Sequence, residues 1–219
     1  MALVKRTRET PGRLRYLEPD EEAALLAAAE EPVHSLIVIG IHAGLRIRSE
    51  ALTLTWPNVD LVRGLLTIQA GYAKNGQTRT VPINSTLRAV LERLKAEARG
   101  EHVFTWPNGQ PIRWLYRAFM AAVGRAKLDD VSPHVLRHTF ASRLMMAGVD
   151  FRTVQELGGW KSLAMVERYG HLSRPHVAAA IERIATAAAA AISQRDSQQP
   201  PRALVPSSRR NKLAAVPAT

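Results

Sequence analysis

Between Ser132 and Gly148 the chain carries a complete set of helix punctuation, and no other stretch limits the fold as tightly. Ser132 is a preferred N-cap residue, Pro133 occupies the first helical position, and Gly148 follows the last turn. At 3.6 residues per turn, His134, Arg137, His138 and Ala141 share one face. Leu136, Phe140, Leu144 and Ala147 make the face expected to enter a core. An imidazole and a guanidinium therefore leave the first turns together, near the positive end of the helix dipole, where an anion is favoured. Taken alone, this helix reads more simply as one with a solvated polar face. His134 and His138 also have the spacing of zinc-binding helices, but Val135 stands where that motif needs Glu, and the chain has no cysteine. No metal site and no cofactor site is expected.

Similar signals recur along the chain. Pro19 opens a helix with Asp20, Glu21 and Glu22 in its first turn, and the helix should stop before Pro32. Residues 34–43 are apolar nearly all round, which predicts a buried helix closed by Gly44, with another short helix through Glu50 to Leu54. Residues 65–68 and 78–81 read as strands, and Asn75-Gly76 between them is a hairpin signal, because a type I′ turn needs positive φ at both positions. Further helices are expected over 85–99 and 113–126, after Asp150 as far as Gly158-Gly159, after Ser162 toward Tyr169, and from Pro175 to about Ile192. The fold class is therefore mainly α (α+β): a helical core with a small antiparallel β-sheet or hairpin.

Composition narrows the partner. The chain has 219 residues, 46% of them hydrophobic, with a formal net charge of +11. That suffices for one well-cored domain and excludes global disorder. The charge favours an extended polyanion, nucleic acid first and an anionic membrane surface as the rival. No apolar run approaches the length of a membrane span, and the N-terminus lacks a signal-peptide core. The expected organisation is a flexible basic lead-in over 1–16, a folded core over 17–174, a C-terminal helix over 175–192 and a disordered tail over 193–219.

The stretch from Gly158-Gly159-Trp160 to Arg168-Tyr169-Gly170-His171-Leu172 is more specific. It resembles the C-terminal signature of the tyrosine recombinases of the phage-integrase kind: a glycine-led turn carrying His or Trp, then a tyrosine in an Arg-Tyr-x-His-Leu setting. Three more stretches resemble boxes of that family, in the family's order. Ala43-Gly44-Leu45-Arg46 with Ser49-Glu50-Ala51-Leu52 is similar to the first arginine box. Tyr72-Ala73-Lys74-Asn75-Gly76 before Arg79-Thr80-Val81-Pro82 is similar to the catalytic-lysine hairpin. Pro133-His134-Val135-Leu136-Arg137-His138 is similar to the His-x-x-Arg box.

The resemblance implies a tyrosine recombinase catalytic domain over 17–174, cutting one DNA strand by transesterification without metal or nucleotide. Tyr169 would form a 3′-phosphotyrosyl bond, Arg46 and Arg137 would clamp the non-bridging oxygens, and Lys74 would protonate the departing 5′-oxygen. His134 would assist deprotonation of Tyr169, and Trp160 would hold the tyrosine and the phosphate by packing and one indole N–H bond. A phosphoryl group under attack spreads charge over its oxygens, and two planar guanidiniums can meet it with paired, charge-assisted bonds. The alternative for Lys74 is a hairpin lysine that blunts an edge strand.

Three departures qualify the match. The family places an acid three residues after the first arginine, whereas Glu50 is four after Arg46 and two after Arg48. Either the helix carries a π-bulge or Arg48 takes the catalytic place; Gly44-Leu45 before Arg46 favours the bulge. Trp160 stands where His is commoner. The helical DNA-clamping domain expected before this core is not found in the sequence, which favours as an alternative a truncated integrase acting only as a DNA-binding remnant. A type IB topoisomerase-like relaxing enzyme shares the chemistry, but the integrase-like spacing around Arg46 and Tyr169 disfavours it. The implied partners are double-stranded DNA and other copies of the chain, monomeric in solution and joined on paired sites in a tetrameric synapse. The implied setting is the cytoplasm, on the nucleoid, and the apolar stripe of the 175–192 helix would be buried on its own core or on a neighbour.

Overall fold

A computed structural model describes residues 14–72, 76–173 and 181–183 of the chain. The chain divides into two units, Met1–His176 and Val177–Thr219. Of the second, only residues 181–183 are described, a piece of helix in which Ile181 is exposed. The rest of the helix expected over 175–192 lies outside the described residues, as do the tail from 193 and the lead-in through 13. At the end of that lead-in, Arg15 lays its guanidinium fork on both carboxylate oxygens of Glu21, at 2.6 and 2.7 Å.

In the first unit, helix α1 (Pro19–Ala28) starts at its proline with an acidic first turn, and the Glu18 and Glu21 side chains complete a reciprocal capping box. Helix α2 (Val33–Ala43) is buried along almost its whole length and ends at Gly44, whose φ of 64° is the left-handed C-cap conformation. Such a helix has no outward face, so it becomes the central pillar, packed on α3 (Ser85–Ala96) and α5 (Pro133–Met146). Asn84 caps α3 through its side chain, which accepts from the backbone N–H of Leu87. Helix α4 (Tyr116–Arg125) packs on α1. Phe119 and Val123 of α4 share one apolar cluster with Leu25, Ile37, Val135 and Leu136.

Two expected caps differ. Ser132 precedes α5 but its hydroxyl makes no cap bond, and its backbone carbonyl instead accepts from Val135 N–H. The helix leading to Tyr169 is short, α7 (Ala164–Glu167), and Ser162 contributes only a backbone carbonyl before it. Asp150 does cap α6 (Phe151–Gly158), accepting from Thr153 N–H at 3.0 Å.

The sheet corrects the hairpin expectation. Three antiparallel strands lie in the order β1 (Val59–Asp60), β2 (Leu65–Ile68) and β3 (Arg79–Pro82). A two-residue turn at Asn75-Gly76 would pair Ile68 with Ile83, whereas Ile68 pairs with Arg79. The connection is thus a long loop, in which Ala70 N–H donates to the Thr78 hydroxyl. Residues 73–75, Lys74 and Asn75 among them, lie outside the described residues. The register differs by an even number of residues, so Leu66, Ile68 and Val81 still face the core. Arg79 shares the inward parity of Val81, and that places a guanidinium inside the molecule.

Candidate active site

Glu50 organises the first part of the site. The segment after Gly44 forms a π-helical turn, Ile47–Ala51, in which Ala51 N–H bonds the Arg46 carbonyl and Leu52 N–H bonds that of Ile47. The extra residue brings Glu50 back over Arg46, whose Nη1 donates to Oε1 at 2.5 Å and whose backbone N–H donates to Oε2 at 3.0 Å. Across the molecule, Arg79 donates to the same two oxygens, at 3.2 and 2.8 Å. Arg48 leaves the other side of the turn, exposed, with its guanidinium 5.4 Å from the centre of the Trp114 ring. The bulge therefore puts Arg46, and not Arg48, in the cluster.

The Glu50 side chain is fully buried. Burial pushes its carboxyl up, but the Arg79 bonds, with Arg46, more than offset this and hold it below the ordinary value of 4.5. A depressed carboxylate contributes stability above its unfolded value, lost as pH falls through the lower folded value. Glu50→Gln should therefore lower stability near neutrality by about 3–5 kcal/mol, as expected for breaking a buried ion pair. Denaturant unfolding at pH 7 and pH 3 checks this: the gap between variant and parent should narrow at the acid end, and an equal gap at both would refute it.

Arg137 corrects the reading of α5 as having a solvated polar face. Only 6% of this residue is exposed; Leu136, Thr139, Phe140 and Ala141 are buried beside it, while Ala147 is exposed. Its Nη1 donates to the Gly44 carbonyl and its Nη2 to the Gly158 carbonyl, both at 2.5 Å. One guanidinium thus joins the end of α2 to the end of α6. Burial, then Arg46 and Arg79 nearby, lower its pKa to about 9, despite the opposing pull of Glu50 and Tyr169. It remains charged at neutral pH.

The glycines of the signature turn have steric causes. A Cβ on Gly158 would stand 1.7 Å from Cζ3 of Trp160, and one on Gly159, whose φ is 65°, would stand 2.9 Å from Cδ of Arg79. Their absence lets the indole and the Arg79 stem pack against the backbone; Arg79 Nε also donates to the Leu157 carbonyl. Trp160 lies with its ring 4.1 Å from Cζ of Arg137 and 6.0 Å, centroid to centroid, from Tyr169. The indole is a platform between a cation and a phenol.

Tyr169 is 1% exposed. Its hydroxyl lies 2.6 Å from Nδ1 of His138. Burial pushes the phenol up from its usual value, against the pull of Arg168 and Arg137. Burial, Arg168, His134 and Arg137 push His138 down to about 4, so its imidazole is neutral at pH 7.

Of the residues expected at the site, the fold brings Arg46, Arg137, Trp160 and Tyr169 into one cluster. His134 is exposed one turn before His138. Lys74 lies outside the described residues. The imidazole on Tyr169 belongs to His138, and the second partner of Glu50 is Arg79; sequence reasoning assigned neither. Arg79 was detectable as a cation on the buried parity of a strand. His138 lacked such a signal, because which of two imidazoles meets the phenol depends on the path of the chain around α7.

A helical core with a small antiparallel sheet, enclosing a tyrosine beside buried guanidiniums, is the architecture of an integrase catalytic domain. The chain matches the family model described as the phage integrase family over residues 15–176, and it belongs to that family. Among solved structures it is similar to the catalytic domain of bacteriophage HP1 integrase, at 28% identity and a TM-score of 0.59, over 77% of this chain and 94% of that one. Among curated proteins it is 36% identical to the integrase of Salmonella phage P22, over 75% of this chain and 46% of the relative. It is 32% identical to tyrosine recombinase XerC of Xanthomonas campestris, over 81% of this chain and 58% of the relative. The chain thus spans about half the length of these curated relatives. Among the described residues, no helix is long and apolar enough to cross a membrane.

Proposed function

We propose that this chain breaks and rejoins double-stranded DNA at specific sites through a covalent 3′-phosphotyrosyl intermediate. The observation that carries the reading is the convergence of a phenol, an indole and three guanidiniums from stretches as distant as Arg46 and Tyr169, with Arg46 and Arg79 on one buried carboxylate and Arg137 on the indole that packs against the phenol. Such an excess of fixed positive charge suits one phosphodiester, and the net charge of +11 suits its polyanion.

In this reading Arg46 and Arg137 bind the non-bridging oxygens, and Trp160 keeps Arg137 and Tyr169 in register. The Tyr169 oxygen attacks phosphorus as the bond to the 5′-oxygen breaks, with Lys74 protonating that oxygen and His134 assisting the tyrosine. A 5′-hydroxyl later attacks the phosphotyrosyl bond and restores the enzyme. The chain acts on paired sites as a tetramer, is monomeric without DNA, and works in the cytoplasm on the nucleoid. The test is incubation with nicked duplexes of random sequence: a covalent 3′-adduct supports catalysis, and binding without any adduct would leave only a DNA-binding remnant.

The role of Lys74 has its own test. Lys74→Ala should slow cleavage of ordinary DNA by about 10²-fold or more. It should approach the parent rate on a substrate whose bridging 5′-oxygen is sulfur, a leaving group that needs no proton. Equal slowing on both substrates would return Lys74 to the blunting of a strand edge.

A further inference from the structure

We propose that His138 is the proton acceptor for Tyr169. The inference rests on the recombinase reading above and moves to His138 the part given there to His134, assisting the tyrosine. Three observations lead to it. The Nδ1–hydroxyl distance of 2.6 Å is already that of a hydrogen bond, the geometry a general base requires. The phenol is enclosed, so bulk water does not compete for its proton. His134, the other imidazole of the box, is exposed a turn earlier, and among the described residues the side-chain partner of the phenol is His138.

The electrical surroundings set the resting protonation. His138 faces His134 and Arg137 on its own helix and Arg168 beside α7, with the phenol itself as its hydrogen-bond partner. Without DNA, burial and these charges hold the imidazole near 4, and burial holds the phenol above its usual value against the pull of Arg168 and Arg137, so both stay neutral and Tyr169 is unreactive.

The proton balance is complete. The Tyr169 proton passes to Nδ1 of His138, the phenolic oxygen bonds to phosphorus, and the bond from phosphorus to the 5′-oxygen breaks. That oxygen takes a proton from the acid assigned to Lys74. On rejoining, the 5′-hydroxyl gives its proton back to the amine assigned to Lys74 as its oxygen bonds to phosphorus, and the departing phenolate recovers its proton from His138.

The experiment is single-turnover adduct formation by the full chain, on nicked duplexes enriched from a random library by covalent capture, between about pH 5.5 and 9.5. His138→Asn keeps a polar atom near the Nδ1 position but cannot accept the proton; His138→Gln is the second variant should Asn fold poorly. The expected result is unchanged DNA binding and adduct formation slowed by about 10²–10⁴-fold at pH 7. That deficit should narrow as pH rises and the phenol ionises unaided. A variant as fast as the parent, or one equally slow at every pH, would overturn the inference, the second pattern marking a residue that only positions Tyr169. A DNA-free arm separates this failure from that of the recombinase reading. In the free protein, 15N resonances should show His138 neutral with an unprotonated Nδ1 that shifts in Tyr169→Phe; a proton resident on Nδ1 overturns the inference even where adducts form. A parent that forms no Tyr169-dependent adduct on any duplex, with those resonances intact, sinks the recombinase reading and this role with it.

Discussion

Tyr169→Phe should leave a folded protein that binds DNA as the parent does and forms no covalent adduct with it. The exchange removes one oxygen from an enclosed ring, so the packing against Trp160 and the rest of its apolar cluster survives. What disappears is the nucleophile, together with the hydrogen bond to His138. Nδ1 of His138 then loses its partner in a half-buried place, which costs about 1–3 kcal/mol. For a domain of this size, each kcal/mol lowers the melting temperature by roughly 2–4 °C. Three measurements check the expectation together: adduct formation on a denaturing gel, DNA affinity by titration, and calorimetry. Adduct formation by the Phe variant would show that another side chain attacks the phosphate, and inhibition of the parent by EDTA would contradict the metal-free mechanism.

Arg137→Lys should cost both activity and stability. Lysine keeps a positive charge but not a planar fork, so a single ammonium cannot serve the Gly44 and Gly158 carbonyls in the places they now occupy. Each buried carbonyl left without its donor costs about 1–3 kcal/mol. The ring contact with Trp160 is also lost. Seen only as one residue on the polar side of a helix, Arg137 would be expected to tolerate the exchange with little loss of stability; its burial overturns that. Cleavage should fall by a further factor, because a preorganised donor to developing negative charge contributes about 3–4 kcal/mol to the barrier. Denaturant unfolding and single-turnover cleavage at a temperature where the variant is folded separate the two effects. Arg46→Lys should also be severe in cleavage, and Arg48→Lys mild, since Arg48 lies on the exposed side of the π-helical turn against Trp114. A variant as stable as the parent would show that the two carbonyls find other donors, and a severe effect at Arg48 alone would reverse the assignment of the first box.

Much of the scaffold was legible because its signals are local. A nearly all-apolar run between Pro32 and Gly44 made α2 a buried helix whatever surrounded it. Asp150 capped α6 because the bond spans three residues. The four boxes could be placed in order, and the misfit between Arg46 and Glu50 itself pointed to a π-bulge, since an extra residue must go somewhere between two side chains that meet.

Other features depended on partners that arrive from elsewhere. The hairpin signal at Asn75-Gly76 did not set the pairing of β2 with β3; the pairing places Leu66, Ile68 and Val81 in the apolar cluster beneath α2 and α3, and a long loop takes up the slack. The polar face of α5 was legible, but its solvation was not, because the ends of α2 and α6 close over Arg137. That Glu50 serves Arg79 as well as Arg46, and that His138 rather than His134 meets the phenol, are likewise contacts between distant segments. By itself the sequence determined most of the helical segments among the described residues and which side chains are available for chemistry, since periodicity, capping and residue type act over a few bonds. Only the tertiary structure decided which charges are buried and which imidazole touches the tyrosine. Those outcomes follow from desolvation and from distances of a few ångströms between residues far apart in the chain, which no local pattern encodes.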